Sequence, residues 1–323
     1  KGDFHIMSLK KALHCSIRRT QTFIDLPYEK KMGKELKKSE LKVAINGAAK
    51  LLKLWMKRND YSQVKYGLSM TIILKNEAPY IREWLAYYIS IGVEHFYIYD
   101  NDSQDDLKKV LVEFNDKVTY VMFSGTARQM DAYNDALNKY GSYSRYMGFL
   151  DADEFIYLKD EKLSFFNLLK NYFTDSHVGG FVINWQIFGS SFLKKKPQGL
   201  LTDNFVYRAQ KNFEKNFHVK SIVDPRKVVG FLNDPHGAFY LPGYYAVNEK
   251  SQIVDGPFSQ DVETDKIQIN HYFTKSEEEF LQKKARGRAT KNSQRTMQDF
   301  KDHDRNDLFD DSMRAYNQKN KLD

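Results

Sequence analysis

The sequence predicts an α/β fold: a mostly parallel sheet flanked by helices, preceded by a basic, mainly helical extension. Three observations predict it. Between residues 66 and 155, short runs rich in branched and aromatic residues alternate with segments of helical apolar period, the pattern of strands joined by crossover helices. Polar clusters follow three of those runs, and in a parallel sheet such strand ends share one edge, where α/β sheets bind ligands. Charge is also uneven: residues 1–66 carry 16 Lys/Arg against 6 Asp/Glu, the rest of the chain 34 against 36.

The extension therefore accounts for the net charge of +8. In its second half, Leu51, Leu52, Trp55 and Met56 alternate with Lys50, Lys53, Lys57 and Arg58. Such a helix suits an anionic membrane surface, and it equally suits packing its apolar side on the main domain. Residues 1–6, which precede Met7, are set aside from this reading. No nucleic-acid motif accompanies the charge, so nucleic acid is not an expected partner. No apolar run reaches the roughly 20 residues of a membrane span, and no apolar stretch of signal-peptide type follows the basic start. The single Cys15 excludes an intrachain disulfide and a cysteine zinc cluster. Together these give an expected cytoplasmic setting, peripheral at the membrane's cytoplasmic face.

The main domain is expected to begin at Tyr66. Leu68–Leu74 reads as a strand ending at Lys75-Asn76-Glu77, and Ala78–Ile91 as a helix on Ile81, Trp84, Leu85 and Tyr88. A second strand, Glu94–Tyr99, ends at Asp100-Asn101-Asp102-Ser103; a helix over Gln104–Phe114 and a third strand over Val118–Phe123 follow. Ala127–Tyr140 reads as a helix. Tyr146–Leu150 is then an apolar strand running into Asp151-Ala152-Asp153-Glu154.

Asp151 and Asp153, in a loop just past a strand, can converge on one hard cation of the Mg²⁺ or Mn²⁺ kind. An isolated Asp-x-Asp is more often a solvated turn; three polar clusters along one sheet edge argue against that. Glycine-rich phosphate loops are absent. Phosphates of a nucleotide would then need a cation and basic side chains.

Longer stretches carry a resemblance. They are Lys75–Leu85, Ile91–Ser103, Gln129–Ala136, Asp151–Phe155, Trp185–Ser190 and His271–Ser276, in that order. Together they resemble family 92 glycosyltransferases of the GT-A fold, from about Tyr66 to Gly287. The resemblance implies a Rossmann-like sheet, a UDP-sugar donor with galactose favoured, a glycan or glycoconjugate acceptor, and an inverting reaction aided by Mn²⁺ or Mg²⁺. It implies that Lys75, Asn76, Glu77, Asp100, Asn101, Asp102, Gln129, Asp151 and Lys220 bind the nucleotide sugar, Lys220 neutralising the diphosphate. Asp151, Asp153 and His271 become the metal ligands. Glu154 reads as structural or catalytic alike, and His236 is a weaker ligand candidate than His271.

Phe181–Trp185 reads as another strand, with Trp185 and Phe188 either stacking on a sugar or packing in the core. Lys194-Lys195-Lys196 reads as a solvated loop. Asp203 resembles the acidic position that follows the family's Trp-x-x-Phe-Gly segment and is the candidate base, with Glu214 and Asp234 as competitors. Ser276 with Glu279 marks a helix start. The expected division is 1–65 extension, 66–287 catalytic domain, and 288–323 short helices or a mobile tail. Two other classes compete: a noncatalytic sugar- or nucleotide-binding module of the same fold, and a basic peripheral-membrane scaffold.

Overall fold

The computed structural model describes Leu52, Met56 and residues 60–160, 162–232, 234–285 and 295–322. Most of the extension lies outside these residues, so the expectation for its basic, apolar-striped second half falls outside the described residues; Leu52 and Met56 themselves are exposed.

The first half alternates strand and helix as the spacing predicts. The elements are β1 (Tyr66–Leu74), α1 (Ala78–Ser90), β2 (His95–Asp100), α2 (Leu107–Leu111), β3 (Val118–Met122), α3 (Gln129–Tyr140) and β4 (Ser144–Phe149). The helix expected from Gln104 starts only at Leu107. Its first residues are taken by the edge instead: the Ser103 amide donates to Asp100 at 2.8 Å and the Gln104 amide to Asn76 at 2.7 Å. β1 pairs in parallel with β2 and β4, and β2 with β3. Alternation along β2 feeds both faces: Phe96 and Ile98 enter one core cluster, Tyr97 and Tyr99 the other.

The second half is more mixed. It holds β5 (Glu154–Leu158), α4 (Phe165–Tyr172), β6 (Val178–Ile187), α5 (Leu201–Asn204), β7 (Tyr207–Arg208) and β8 (Val219–Val223). The short strands β9 (Val228–Gly230), β10 (Phe239–Tyr240), β11 (Tyr245–Val247) and β12 (Ile253–Val254) follow, then β13 (Ile267–His271) and α6 (Glu277–Ala285). Last come α7 (Met297–His303), β14 (Leu308–Phe309) and α8 (Ser312–Asn320). The large sheet runs β12-β11-β6-β8-β4-β1-β2-β3. β8 lies antiparallel between β4 and β6. β13 pairs antiparallel with β5 and parallel with β6. The expected mostly parallel, helix-flanked α/β sheet is thus present, with antiparallel insertions where the chain returns to the edge.

Residues 295–322 are strapped to the body. β14 pairs with β7. Asp304 accepts from the Ser190 amide at 2.7 Å and Asn306 from the Ser191 amide at 2.8 Å. The strap passes so close that a Cβ on Gly189 would lie 2.4 Å from the Arg305 carbonyl oxygen.

Candidate active site

The parallel pairing of β1, β2 and β4 puts their three polar clusters on one edge, and hydrogen bonds lace the first two together. The Asn76 amide donates to Ser103 at 3.0 Å and the Ala78 amide to Asp105 at 2.8 Å. Asn76 and Asp102 have φ of 55° and 61°, a left-handed turn that Asn and Asp tolerate better than most residues. Asn101 donates to the carbonyls of Phe123 and Gly125, at 3.0 and 2.7 Å, and Asp102 accepts from Ser124 and the Gly125 amide. Asp100 accepts from Tyr120 and from the Ser103 amide. Glu77 pairs with Lys275 at 3.0 Å.

The Asp151-Ala152-Asp153 turn is built between β4 and β5, and Glu154 pins it. One oxygen of Glu154 accepts from the Asp151 amide at 2.9 Å, the other from the Trp185 indole at 2.7 Å. Of the two roles open to Glu154, these contacts describe a structural one. Asp151 accepts from Gln129 at 2.6 Å and from Lys220 at 2.9 Å. Lys220 is fully enclosed and also stands 3.6 Å from Glu154. Burial would lower its pKa, but the Asp151 and Glu154 carboxylates outweigh that and hold the ammonium charged.

Asp153 has different company. The β5–β13 register sets His271 opposite Glu154, and His271 Nε2 ends 3.6 Å from Asp153 Oδ1. The other oxygen, Oδ2, accepts from Lys283 on α6 at 2.5 Å; the same ammonium donates to the Phe273 carbonyl at 2.9 Å. Burial would raise the Asp153 carboxyl, yet Lys283 and then His271 hold it well below the usual carboxylate range. Burial pulls Lys283 down to about 8 against the pull of Asp153, and also lowers His271, which favours its neutral imidazole.

A carboxylate and a neutral imidazole are a donor set suited to Mn²⁺ or Mg²⁺. Their 3.6 Å separation is wider than a hydrogen bond. It is comparable with the roughly 3 Å between neighbouring ligands of one octahedral cation. His271 Nδ1 is buried with no hydrogen-bond partner. By donor type and spacing, Asp153 Oδ1 and His271 Nε2 fit a cation. Asp151 is turned to Lys220 and Gln129, and the three residues expected as ligands do not form one tight cluster. Among the described residues the only such cluster of three is Glu249, Glu263 and Asp265. There Glu249 accepts from the amides of Asp265, Lys266 and Ile267, and Lys250 pairs with Glu263.

The remaining site expectations fall as follows. Trp185 and Phe188 are interior. Trp185 is stacked by His218 at 4.8 Å and touched by His271 at 4.2 Å and His236 at 4.8 Å; Phe188 packs on Tyr272 at 4.9 Å. Asp203 accepts from Asn317 at 2.8 Å, and its carbonyl accepts from Arg314. Asp234 accepts from the His236 amide at 2.8 Å, and its charge bears on His218. The lysine loop caps α6: the Glu277 and Glu278 amides donate to the carbonyls of Leu193 and Lys194. Ser276 and Glu279 form the expected reciprocal cap.

The sequence reading missed Lys283. The signal was there: 279, 280 and 283 form the buried stripe of α6, and a lysine on such a stripe needs a buried partner.

The model of glycosyltransferase family 92 matches residues 66–316. The chain belongs to that family. A family 92 relative in Arabidopsis thaliana is 29% identical over 191 residues, covering 56% of this chain and 32% of the relative. One in Ricinus communis is 29% identical over 204 residues, covering 59% and 35%. The chain thus spans about a third of the length of the curated relatives it matches. Among solved structures, TarS of S. aureus in complex with UDP matches with a TM-score of 0.34 and 13% identity, covering 49% of this chain and 47% of that one. Glucosyl-3-phosphoglycerate synthase from Mycobacterium tuberculosis, in complex with Mn²⁺, UDP and glucosyl-3-phosphoglycerate, matches with a TM-score of 0.26 and 14% identity, covering 41% and 46%. The family 92 match covers α7 and β14 and ends within α8.

Proposed function

We propose that this family 92 domain transfers a sugar, galactose favoured, from a UDP-sugar to a glycan or glycoconjugate acceptor, with inversion and with Mn²⁺ or Mg²⁺. The observation that supports the reading is the pair Asp153 and His271, brought 3.6 Å apart just past the carboxyl end of β4. These two residues would hold the cation, which supplies charge neutralisation for a departing diphosphate. Lys220 neutralises and orients Asp151, and Gln129 fixes the carboxylate's other oxygen. The laced loops after β1 and β2 form the wall on which a base and ribose would lie.

An inverting transfer needs a carboxylate on the acceptor side to take the hydroxyl proton. Asp203 is the sequence-based candidate, but its carboxylate engages Asn317 on α8. Asp234 stands by His218 and His236, which both pack on Trp185 beside His271. That neighbourhood supports Asp234 as the base.

The test is a donor panel with Mn²⁺, scored by release of nucleoside diphosphate. Release from UDP-galactose that EDTA abolishes is the expected result. Binding of UDP without turnover of any donor, in the presence of a glycan acceptor panel, would leave the noncatalytic module as the better reading. The peripheral-membrane role of residues 8–66, at a cytoplasmic face, belongs to the same proposal. Deleting them should abolish salt-sensitive binding to anionic liposomes while transfer to a water-soluble acceptor persists.

A further inference from the structure

The two aspartates of the turn each meet an ammonium, but not in the same way. Lys220 rises from a strand inside the sheet and is shared between Asp151 and Glu154. Lys283 comes from a helix outside the sheet, and among the described residues Asp153 is its one carboxylate partner, at 2.5 Å. Its other contacts are the Phe273 carbonyl at 2.9 Å and the Phe273 ring, whose centroid lies 4.3 Å away. Asp153 turns one oxygen to Lys283 and the other to His271.

We propose that Lys283 is a resident counter-cation of Asp153 that competes with a divalent cation for this carboxylate and is displaced when one binds. The inference rests on the cation reading given above and adds a residue to it. The physical reason is direct. A divalent cation shared by Asp153 and His271 would sit a few ångströms from an ammonium bound to the same carboxylate. At that range like charges repel strongly inside a protein. Without either cation, Asp153 is a buried carboxylate that burial penalises. Lys283 thus keeps the site charge-balanced and folded before loading, at the expense of cation affinity. Lys220 cannot play this part, because Glu154 and Asp151 both hold it within the sheet.

Mn²⁺ alone is titrated into the full chain by calorimetry, for the wild type and for Lys283→Met and Lys283→Gln, with folding checked by circular dichroism. The glutamine variant keeps a donor for the Phe273 carbonyl and guards against collapse of the methionine one. Both variants are expected to bind Mn²⁺ at least about tenfold more tightly than the wild type. Equal or weaker binding by a folded variant overturns the proposal. Asp153→Asn separates the two readings. If it abolishes Mn²⁺ binding while the Lys283 variants match the wild type, the cation site stands and the competition falls. If it leaves Mn²⁺ binding unchanged, or if no protein binds Mn²⁺, both fall. A readout on the wild type needs no variant: acylation of Lys283 by an N-hydroxysuccinimide ester, followed by mass spectrometry, should rise severalfold when Mg²⁺ is added. Unchanged acylation counts against displacement.

Discussion

The parallel half of the sheet and the mixed half contribute to the site in opposite ways. In the parallel half, β1, β2 and β4 each deliver a polar cluster directly at their carboxyl ends. The first two clusters are laced to each other, as Asn76 is to Ser103 and Gln104. In the mixed half, no single strand end forms a cluster. Lys220, His271 and Lys283 come from an antiparallel strand, from a strand paired on both sides, and from a helix. Each nevertheless reaches one of the two aspartates. The parallel half supplies the edge and its carboxylates, and the mixed half supplies the groups that face them.

Removing the charge that the mixed half supplies should therefore do the most damage. Lys220→Met strands the Asp151 and Glu154 carboxylates around an enclosed apolar side chain. Breaking such a buried pair should cost about 3–5 kcal/mol, read as a lower midpoint in urea unfolding. A midpoint unchanged from the wild type would show that the lysine is not neutralising them.

Asp153→Asn comes next. It keeps the shape and removes the anion that faces both His271 and Lys283. Transfer should fall about 100- to 1,000-fold, the effect of losing a key electrostatic group, and the urea midpoint should fall as well, because Lys283 loses its buried carboxylate. Near wild-type turnover by a folded Asp153→Asn protein would move the chemistry away from the mixed half.

Asp234→Asn and Asp203→Asn sharpen the comparison within that half. Asp234→Asn should lower kcat about 100-fold while UDP affinity with Mn²⁺ holds, as expected for a base that does not bind the donor. Asp203→Asn should chiefly loosen α8, through its bond to Asn317. The reverse pattern would return the base to Asp203.

The smallest effect concerns acid, and it samples both halves. Burial lowers His95 on β2 and His303 on α7 to about 4 each. Both are neutral in the folded protein at pH 5, while the unfolded chain takes up protons below about 6.5. The unfolded state then binds more protons, so stability falls as pH drops from about 6.5 towards 4. For the buried His95 the slope reaches about 1.4 kcal/mol per pH unit. His95→Gln and His303→Gln should each flatten part of that slope in urea midpoints taken from pH 7 to 4.5. A slope unchanged in both variants would assign the acid sensitivity elsewhere.

By itself the sequence determined the strand–helix alternation from Tyr66 to Phe149, the three polar clusters and the aspartate turn. These follow from local period and from the order of elements, because a parallel sheet sends successive strand ends to one edge. It also carried the family, through short motifs spread along the chain. Only the tertiary structure decided what each carboxylate faces. Asp151 and Asp153 are two residues apart, yet one meets Lys220 and the other Lys283 and His271, all far along the chain. Periodicity cannot report such pairings, since they depend on how β8 and β13 return to the sheet and on where α6 docks. The same holds for Asp203, whose bond to Asn317 exists only because the last helix folds back on α5.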